Sequence, residues 1–288
     1  STMPSMILTP IQRRILDVAE TAGDGRDIAF THSLLAQVSM PLKSVKGDVY
    51  ERQAGAASML LQAGHLYLDG KWEKQPLPYG VSPRLALSFI NTSALRSGEP
   101  LVELGDSLWQ FMGDLDLTRD ARAVRHFRRQ LQSIAASTMR LGYGRNTTVK
   151  GIEPIRAIDL WPEPSDGRQR VLWPASVRLS DDYFADLQEH ALPLNREALA
   201  ALRHSAMAVD AYAWLASRLP RIKREAGERI SWRALQAQFG GPDDLRNFRR
   251  HFLKALHQAV VAYPGARIEQ VRGGLLLKPS PTAVPRNQ

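Results

Sequence analysis

The chain has 288 residues, 44% of them hydrophobic, enough to bury a substantial core and, by length, to form two domains. It has no cysteine, which excludes disulfides and thiolate metal sites, and no visible leader or apolar run near the ~20 residues that span a bilayer. The formal charge of +9 sits at the back: residues 196–288 hold thirteen Arg and three Lys against seven acids, while the first 195 are neutral, so a polyanionic partner is expected there.

Thr9 and Pro10 supply an N-cap and a first-turn proline for a helix with Ile11, Ile15, Leu16 and Ala19 on its apolar stripe, which stops at Ala22–Gly25. A strand at Ile28–Phe30, a short helix over Ser33–Ser39 and a helix from Tyr50 to Gly64 are expected next. Gln37–Pro41 reads as an ordinary helix end rather than a sliding-clamp peptide, because Pro41 stands where an apolar anchor would help. Leu66, Leu68 and Trp72 flank an Asp-Gly turn, which predicts a hairpin.

Pro83 opens a helix through Leu85, Phe89 and Ile90 that ends before Gly98. Ser107 caps a shorter one with Leu108, Phe111 and Met112, and Thr118 starts a third that runs to about Leu141. The stretches AIDLWPEP and RVLWPASVRLS then read as two strands joined by a turn. This order of helix, short helix, long helix and hairpin is that of a winged helix.

The order repeats. Asn195 caps a long helix through Leu199, Leu202, Met207 and Trp214, ending near Leu219-Pro220. Ser231 begins a short helix closed by Gly240-Gly241, Pro242 and Asp243 start one that reaches Tyr263-Pro264, and a hairpin turns at Arg272-Gly273-Gly274. Asp181–Pro193 is the expected junction. The expected fold is therefore α+β and mainly helical, with two tandem winged-helix domains. Residues 1–190 form the first, with an added N-terminal helix and hairpin, and residues 191–288 the second.

The long helices share a motif: VRHFRRQL at Val124–Leu131 and LRNFRRHF at Leu245–Phe252. At 100° per residue, Val124, Phe127, Leu131 and Ile134 make one apolar sector, with Arg122, Arg125, Arg129 and Gln132 opposite and Arg128 at the flank. In the second helix Leu245, Phe248, Phe252 and Leu256 face Arg246, Arg250, Lys254 and His257, with Arg249 at the same flank. A helix that buries one face and offers Arg and Gln on the other suits the major groove, where Arg pairs with guanine and Gln with adenine edges, and both reach phosphates. Arg233 on the short helix and Arg267 and Arg272 on the hairpin complete the candidate DNA-binding set. The competing reading is a solvated face paired with Asp120, Asp243 and Asp244. Trp109, Trp161, Trp173 and Trp232 are assigned to packing.

Nothing catalytic is legible. The seven histidines form no metal-binding pair, and GHLYLDGK has one residue too many for a phosphate loop, with Trp72 where Ser or Thr belongs. Asp181-Asp182 and Asp243-Asp244 read as helix caps. No enzyme activity, cofactor or metal is expected.

Leu77-Pro78-Tyr79-Gly80, then Pro83-Arg84-Leu85, Asn91-Thr92 to Arg96 and Ser107-Leu108 follow one another in a recognisable order, with a weaker match at Phe30–Pro41. On these residues the stretch from Phe30 to Gly142 resembles the RepA-type plasmid replication initiators. The resemblance implies a cytoplasmic bacterial protein with two winged-helix domains that binds double-stranded DNA at iteron-type origin repeats to start plasmid replication. It also implies host replication proteins as partners, a homodimer, repression of its own promoter and plasmid copy control, with no membrane partner. The match weakens after Gly142. A winged-helix transcriptional regulator bound to an operator is the alternative; an accessory nuclease or primase would need a metal-dependent site.

Overall fold

A computed structural model describes residues 28–68, 70–104, 112–113, 117–144, 154–162, 172–240 and 244–284. They hold seven α-helices and thirteen strands gathered into five small antiparallel sheets, an α+β fold. The helix expected from Thr9, the short helix from Ser107 with Trp109, and Pro242-Asp243 lie outside the described residues.

Ile28–His32 (β1) is a strand as expected, and it pairs with Ala191–Asn195 (β10) from far along the chain. The expected helix over Ser33–Ser39 is a run of turns, with the N–H groups of Leu35 and Ala36 sharing the His32 carbonyl. Val38 and Met40 are core residues, so Gln37–Pro41 presents no docking peptide. The helix expected across Tyr50–Gly64 is instead a hairpin, Val49–Ala54 (β2) and Ala57–Gln62 (β3). Alanine-rich composition masked the two-residue period by which Ala57, Met59 and Leu61 are buried, and Gly55 turns the chain at φ 61°. His65–Leu68 (β4) and Lys71–Lys74 (β5) form the hairpin read from the sequence.

Val81–Ser97 (α1) ends where Gly98 adopts φ 73° and its N–H closes on Ala94 O at 2.9 Å. Leu101–Glu103 (β6) follows. Ala121–Ala136 (α2) stops short of Leu141, because Met139 and Leu141 are alternate buried residues of a strand, Thr138–Tyr143 (β7), paired with β3. Ile155–Pro162 (β8) and Leu172–Leu179 (β9) form the next hairpin, with Trp161 opposite Trp173. The expected junction is no open linker: Asp181–His190 (α3) buries Tyr183 and Leu187 before β10.

The long helix expected from Asn195 is two. Arg196–Leu202 (α4) is capped by Asn195 Oδ1, which accepts the Ala198 N–H at 2.9 Å, and Ala206–Arg218 (α5) by Ser205 Oγ. Ser205 breaks the helix because its extended backbone lets the hydroxyl serve as an N-cap. Glu228–Ser231 (β11), Trp232–Phe239 (α6), Leu245–Ala262 (α7), Ile268–Val271 (β12) and Gly274–Leu277 (β13) complete the chain.

The two halves repeat a connectivity as well as a motif. Each has a helix (α1 or α5), a strand (β6 or β11), a long basic helix (α2 or α7) and then two strands. The resulting sheets run β6-β9-β8 and β11-β13-β12, first–third–second in both. The first half differs by β7, which leaves the pattern to join β2 and β3.

Two hydrophobic cores lie under these halves. One is built on Met59, Leu61, Leu87, Ile90, Phe127, Leu131 and Leu141, the other on Tyr212, Trp214, Phe239, Phe248, Phe252 and Leu277. Helix α1 lies between them, giving Ala86, Leu87 and Ile90 to the first and Leu85 to the second. The Arg84 guanidinium crosses this seam: Nε and Nη2 donate to Asp210 of α5 at 2.6 and 2.7 Å, and the remaining N–H groups reach the carbonyls of Met40, Pro41 and Gly80. Both side chains are less than a tenth exposed. Thr92 Oγ1 accepts the Phe30 N–H at 2.7 Å, Ser88 Oγ donates to Phe30 O, and Arg96 donates to Ile28 O, so α1 also holds β1. Asn91 Oδ1 accepts from Tyr183. Of the residues that carry the family resemblance, Arg84 thus crosses the seam, while Asn91, Thr92 and Arg96 tie α1 to α3 and β1.

Buried His32 meets Asp186 of α3 at 2.5 Å, and Leu34 N–H occupies the other ring nitrogen, which leaves Nε2 to donate. That hydrogen bond, against some desolvation, holds the Asp186 carboxyl below the ordinary carboxylate range. A depressed carboxyl stabilises the fold above its unfolded value and loses that contribution as pH falls through the folded one. The chain should therefore lose stability below about pH 4, and Asp186→Asn should flatten that limb of a pH–melting curve while lowering stability at neutral pH.

Candidate nucleic-acid interface

Helices α2 and α7 begin alike. Asp120 Oδ1 accepts the N–H groups of Arg122 and Ala123 at 2.9 and 2.8 Å, and Asp244 accepts those of Arg246 and Asn247 at 3.1 and 3.2 Å. The Asp120 and Asp244 carboxylates are engaged as caps at the helix starts. Among the described residues no acid pairs with Arg125, Arg129, Arg246, Arg250 or Lys254.

Phe127, Leu131 and Ile134 of α2 are buried and Val124 half-buried, while Arg122, Arg125 and Arg129 are exposed and Arg128 and Gln132 half-buried. In α7, Phe248, Phe252 and Leu256 are buried, and Arg246, Arg249, Arg250, Lys254 and His257 exposed. Arg249 lies over the Trp232 ring at 5.2 Å, so part of its exposed charge is committed to a cation–π contact that ties α7 to α6. Trp232 itself is core, as expected. Arg233, Arg267 and Arg272 are exposed, Arg272 beside the Gly273 turn, where φ is 86°.

The two copies are not in register with their caps. The Arg-Phe-Arg-Arg offsets begin two residues after Asp244 but five residues after Asp120. The motif of α2 thus starts about 4.5 Å further from the helix start, close to one turn, although Arg122 stands at the same distance from its cap as Arg246. Toward its N-terminus α7 thus carries exposed Arg246 and Arg250, and α2 exposed Arg122 and Arg125.

Sequence reasoning missed part of this surface. Arg221, Lys223, Arg224 and Arg229 are all exposed before or on β11, the edge strand of the second sheet. The net charge of the back half was the signal for them. It also missed Arg52 of β2, whose guanidinium donates to Tyr50 Oη at 2.9 Å and to Ala237 O at 3.2 Å at the end of α6. The Arg52 guanidinium lies against Gly240, the glycine that ends α6 and whose φ of 70° favours glycine there.

The described residues include no group of three His, Asp or Glu side chains placed to hold a metal ion, and no helix long and apolar enough to cross a membrane.

Comparisons with known proteins agree with this organisation. The chain resembles the solved structures of domains 2 and 3 of RctB, at 10% identity over 85% of this chain and 95% of that one, with a TM-score of 0.52. A second RctB structure of the same domains gives a TM-score of 0.50 over 96% of its length. At that identity the likeness is one of fold. No curated protein matches the sequence. The family model described as "Plasmid encoded RepA protein" matches residues 77–234, from the Leu77 signature through α1 and the seam to the first turn of α6. On that match the chain belongs to the RepA-type family of plasmid replication initiators.

Proposed function

We propose that the chain is a non-enzymatic origin-binding initiator built from two winged helices, within residues 1–190 and 191–288, that grips double-stranded DNA with both basic helices. The observation that carries this reading is the repeated unit: an Asp-capped amphipathic helix with Arg125 and Arg129, or Arg246, Arg250 and Lys254, paired with no acid of the described residues, followed by a sheet of the same strand order. In such a unit the long helix enters the major groove and the hairpin touches the backbone. Arg122, Arg125, Arg129 and Gln132 are assigned to one groove segment, and Arg246, Arg250, Lys254 and His257 to the next. Arg233, Arg267 and Arg272 are assigned to phosphates.

Iteron-type origin repeats are the assigned target, and binding at such repeats near its own promoter gives repression and copy control. A second copy of the chain and host replication proteins are the assigned protein partners. The family membership supports these assignments.

Arg129→Ala and Arg250→Ala test the reading singly. A lost base contact costs about 1–3 kcal/mol and relaxes specificity at one position, whereas a lost phosphate contact weakens all sequences alike and lowers the salt slope by about one. Fluorescence anisotropy against a duplex selected from a random pool reads both. Unchanged affinity and slope in both variants would sink the reading. A directly repeated motif in the selected pool supports an initiator, and a palindrome supports an operator-binding regulator.

A further inference from the structure

We propose that the outward face of the β4–β5 hairpin is a stacking surface for unpaired bases of single-stranded DNA. The inference rests on the reading of the chain as an origin-binding protein and adds to it a site for the opened strand.

In this hairpin His65 stands opposite Lys74 and Tyr67 opposite Trp72. Side chains alternate along a strand, so these four share one face and Leu66, Leu68, Lys71 and Glu73 share the other. The second face packs inward through Leu68, which is buried. The first face is left in water: Trp72 is 70% exposed and Tyr67 58%, with ring centres 5.3 Å apart at 60°. No other large apolar side chain of the described residues is as exposed as Trp72. Two adjacent aromatic rings kept out of the core by the strand register stabilise the hairpin only modestly as a cross-strand pair, and their outer faces remain open to a ligand.

The chemistry of the surroundings selects the ligand. The face carries His65 and Lys74 beside the rings and no acidic side chain of its own. Lys74 meets Asp48 at 2.5 Å and Lys71 meets Glu73 at 3.1 Å, but all four side chains are exposed. Such surface pairs are worth little and exchange readily for phosphate. Aromatic rings flanked by cations are the pattern that binds single strands without sequence preference, because every base has a π-face.

The position fits an opened strand next to a bound duplex. Gly64, directly before β4, lies so close to the end of α2 that a Cβ there would fall 2.0 Å from Ala136 O. The Gln75 N–H closes the base of the hairpin on Gly64 O at 2.9 Å. The hairpin is therefore rooted at the C-terminal end of α2, about 24 Å along that helix from its capped start, and Arg122 and Arg125 lie toward the other end.

The test uses the full chain with Tyr67→Ala/Trp72→Ala and Tyr67→Phe/Trp72→Phe, read by anisotropy against a labelled oligothymidylate and against duplex. The alanine pair should bind the oligothymidylate about ten- to a hundredfold more weakly while duplex affinity stays within about twofold, and the phenylalanine pair should keep most of the single-strand binding. Unchanged single-strand affinity in the alanine pair, or an equal loss on both probes, overturns the proposal. So does a shift from dimer to monomer with single-strand binding intact, which would assign the face to a second copy. Loss of duplex binding in Arg246→Ala/Arg250→Ala/Lys254→Ala tests the broader reading separately, since those residues are remote from the hairpin in sequence and fold.

Discussion

Asp210→Ala should be the most destabilising single change at the seam, costing about 3–5 kcal/mol, because it leaves the buried Arg84 guanidinium without its carboxylate. The carbonyls of Met40, Pro41 and Gly80 still accept from Arg84, but they carry no charge to offset the desolvated cation. Against a usual total of about 5–15 kcal/mol that is a large fraction, and it should lower the Tm by roughly 10 °C. Replacing both partners by apolar residues of similar size, as in Arg84→Met/Asp210→Leu, should recover much of the loss. The double-mutant cycle should return a coupling of the same sign and order. If Asp210→Ala melted as the wild type does, the seam would not be held as described. Since Arg84 sits on α1 and Asp210 on α5, the leading helices of the two repeated units, the same variant should loosen the spacing between the two basic helices.

The second large effect belongs to α7. Arg246, Arg250 and Lys254 are exposed on one face and paired with no acid of the described residues. If each makes a DNA contact worth about 1–3 kcal/mol, the triple alanine variant should lose about a hundredfold in duplex affinity or more, without loss of thermal stability. Its log–log salt slope should fall by up to about three if all three contact phosphates. The matching variant of α2, Arg122→Ala/Arg125→Ala/Arg129→Ala, should lose less, since the front of the chain is neutral and α7 stands in the half that carries the net +9. Equal losses from the two triples would show that the uneven charge has no bearing on binding.

Local signals in the sequence were sufficient for some elements and misleading for others. The Asp-Gly and Arg-Gly-Gly turns located their hairpins, and the apolar wheel positions Phe127, Leu131, Phe248 and Phe252 are the buried ones. The errors came where local propensity opposed tertiary demand. The Ala-rich stretch after Tyr50 favours helix, but the first core takes Ala57, Met59 and Leu61 from one face of a strand. Met139 and Leu141 continued a helical stripe on paper, yet β3 supplies the partner that makes them a strand. Asp181–Pro193, read as the junction between the halves, is built into the fold by buried Tyr183 and by the pairing of β10 with β1, contacts visible only in three dimensions.

The candidate interface was legible because an amphipathic helix declares its exposed face in its own spacing. The seam was not: Arg84 and Asp210 are 126 positions apart, and nothing local marks either as buried. Arg84 belongs to the run that carries the family resemblance, so resemblance pointed at the residue without showing what it does. The three-residue difference between the two motifs in their distance from the cap likewise needed the observed caps, Asp120 and Asp244, and it makes the two copies related but unequal.

The central claim, that both basic helices grip one duplex, is tested most directly by footprinting the full chain on a selected duplex alongside the two triple alanine variants. The expected result is two protected major-groove segments, one lost with the α7 triple and the other with the α2 triple. A single segment, lost with the α7 triple and unchanged with the α2 triple, would contradict it.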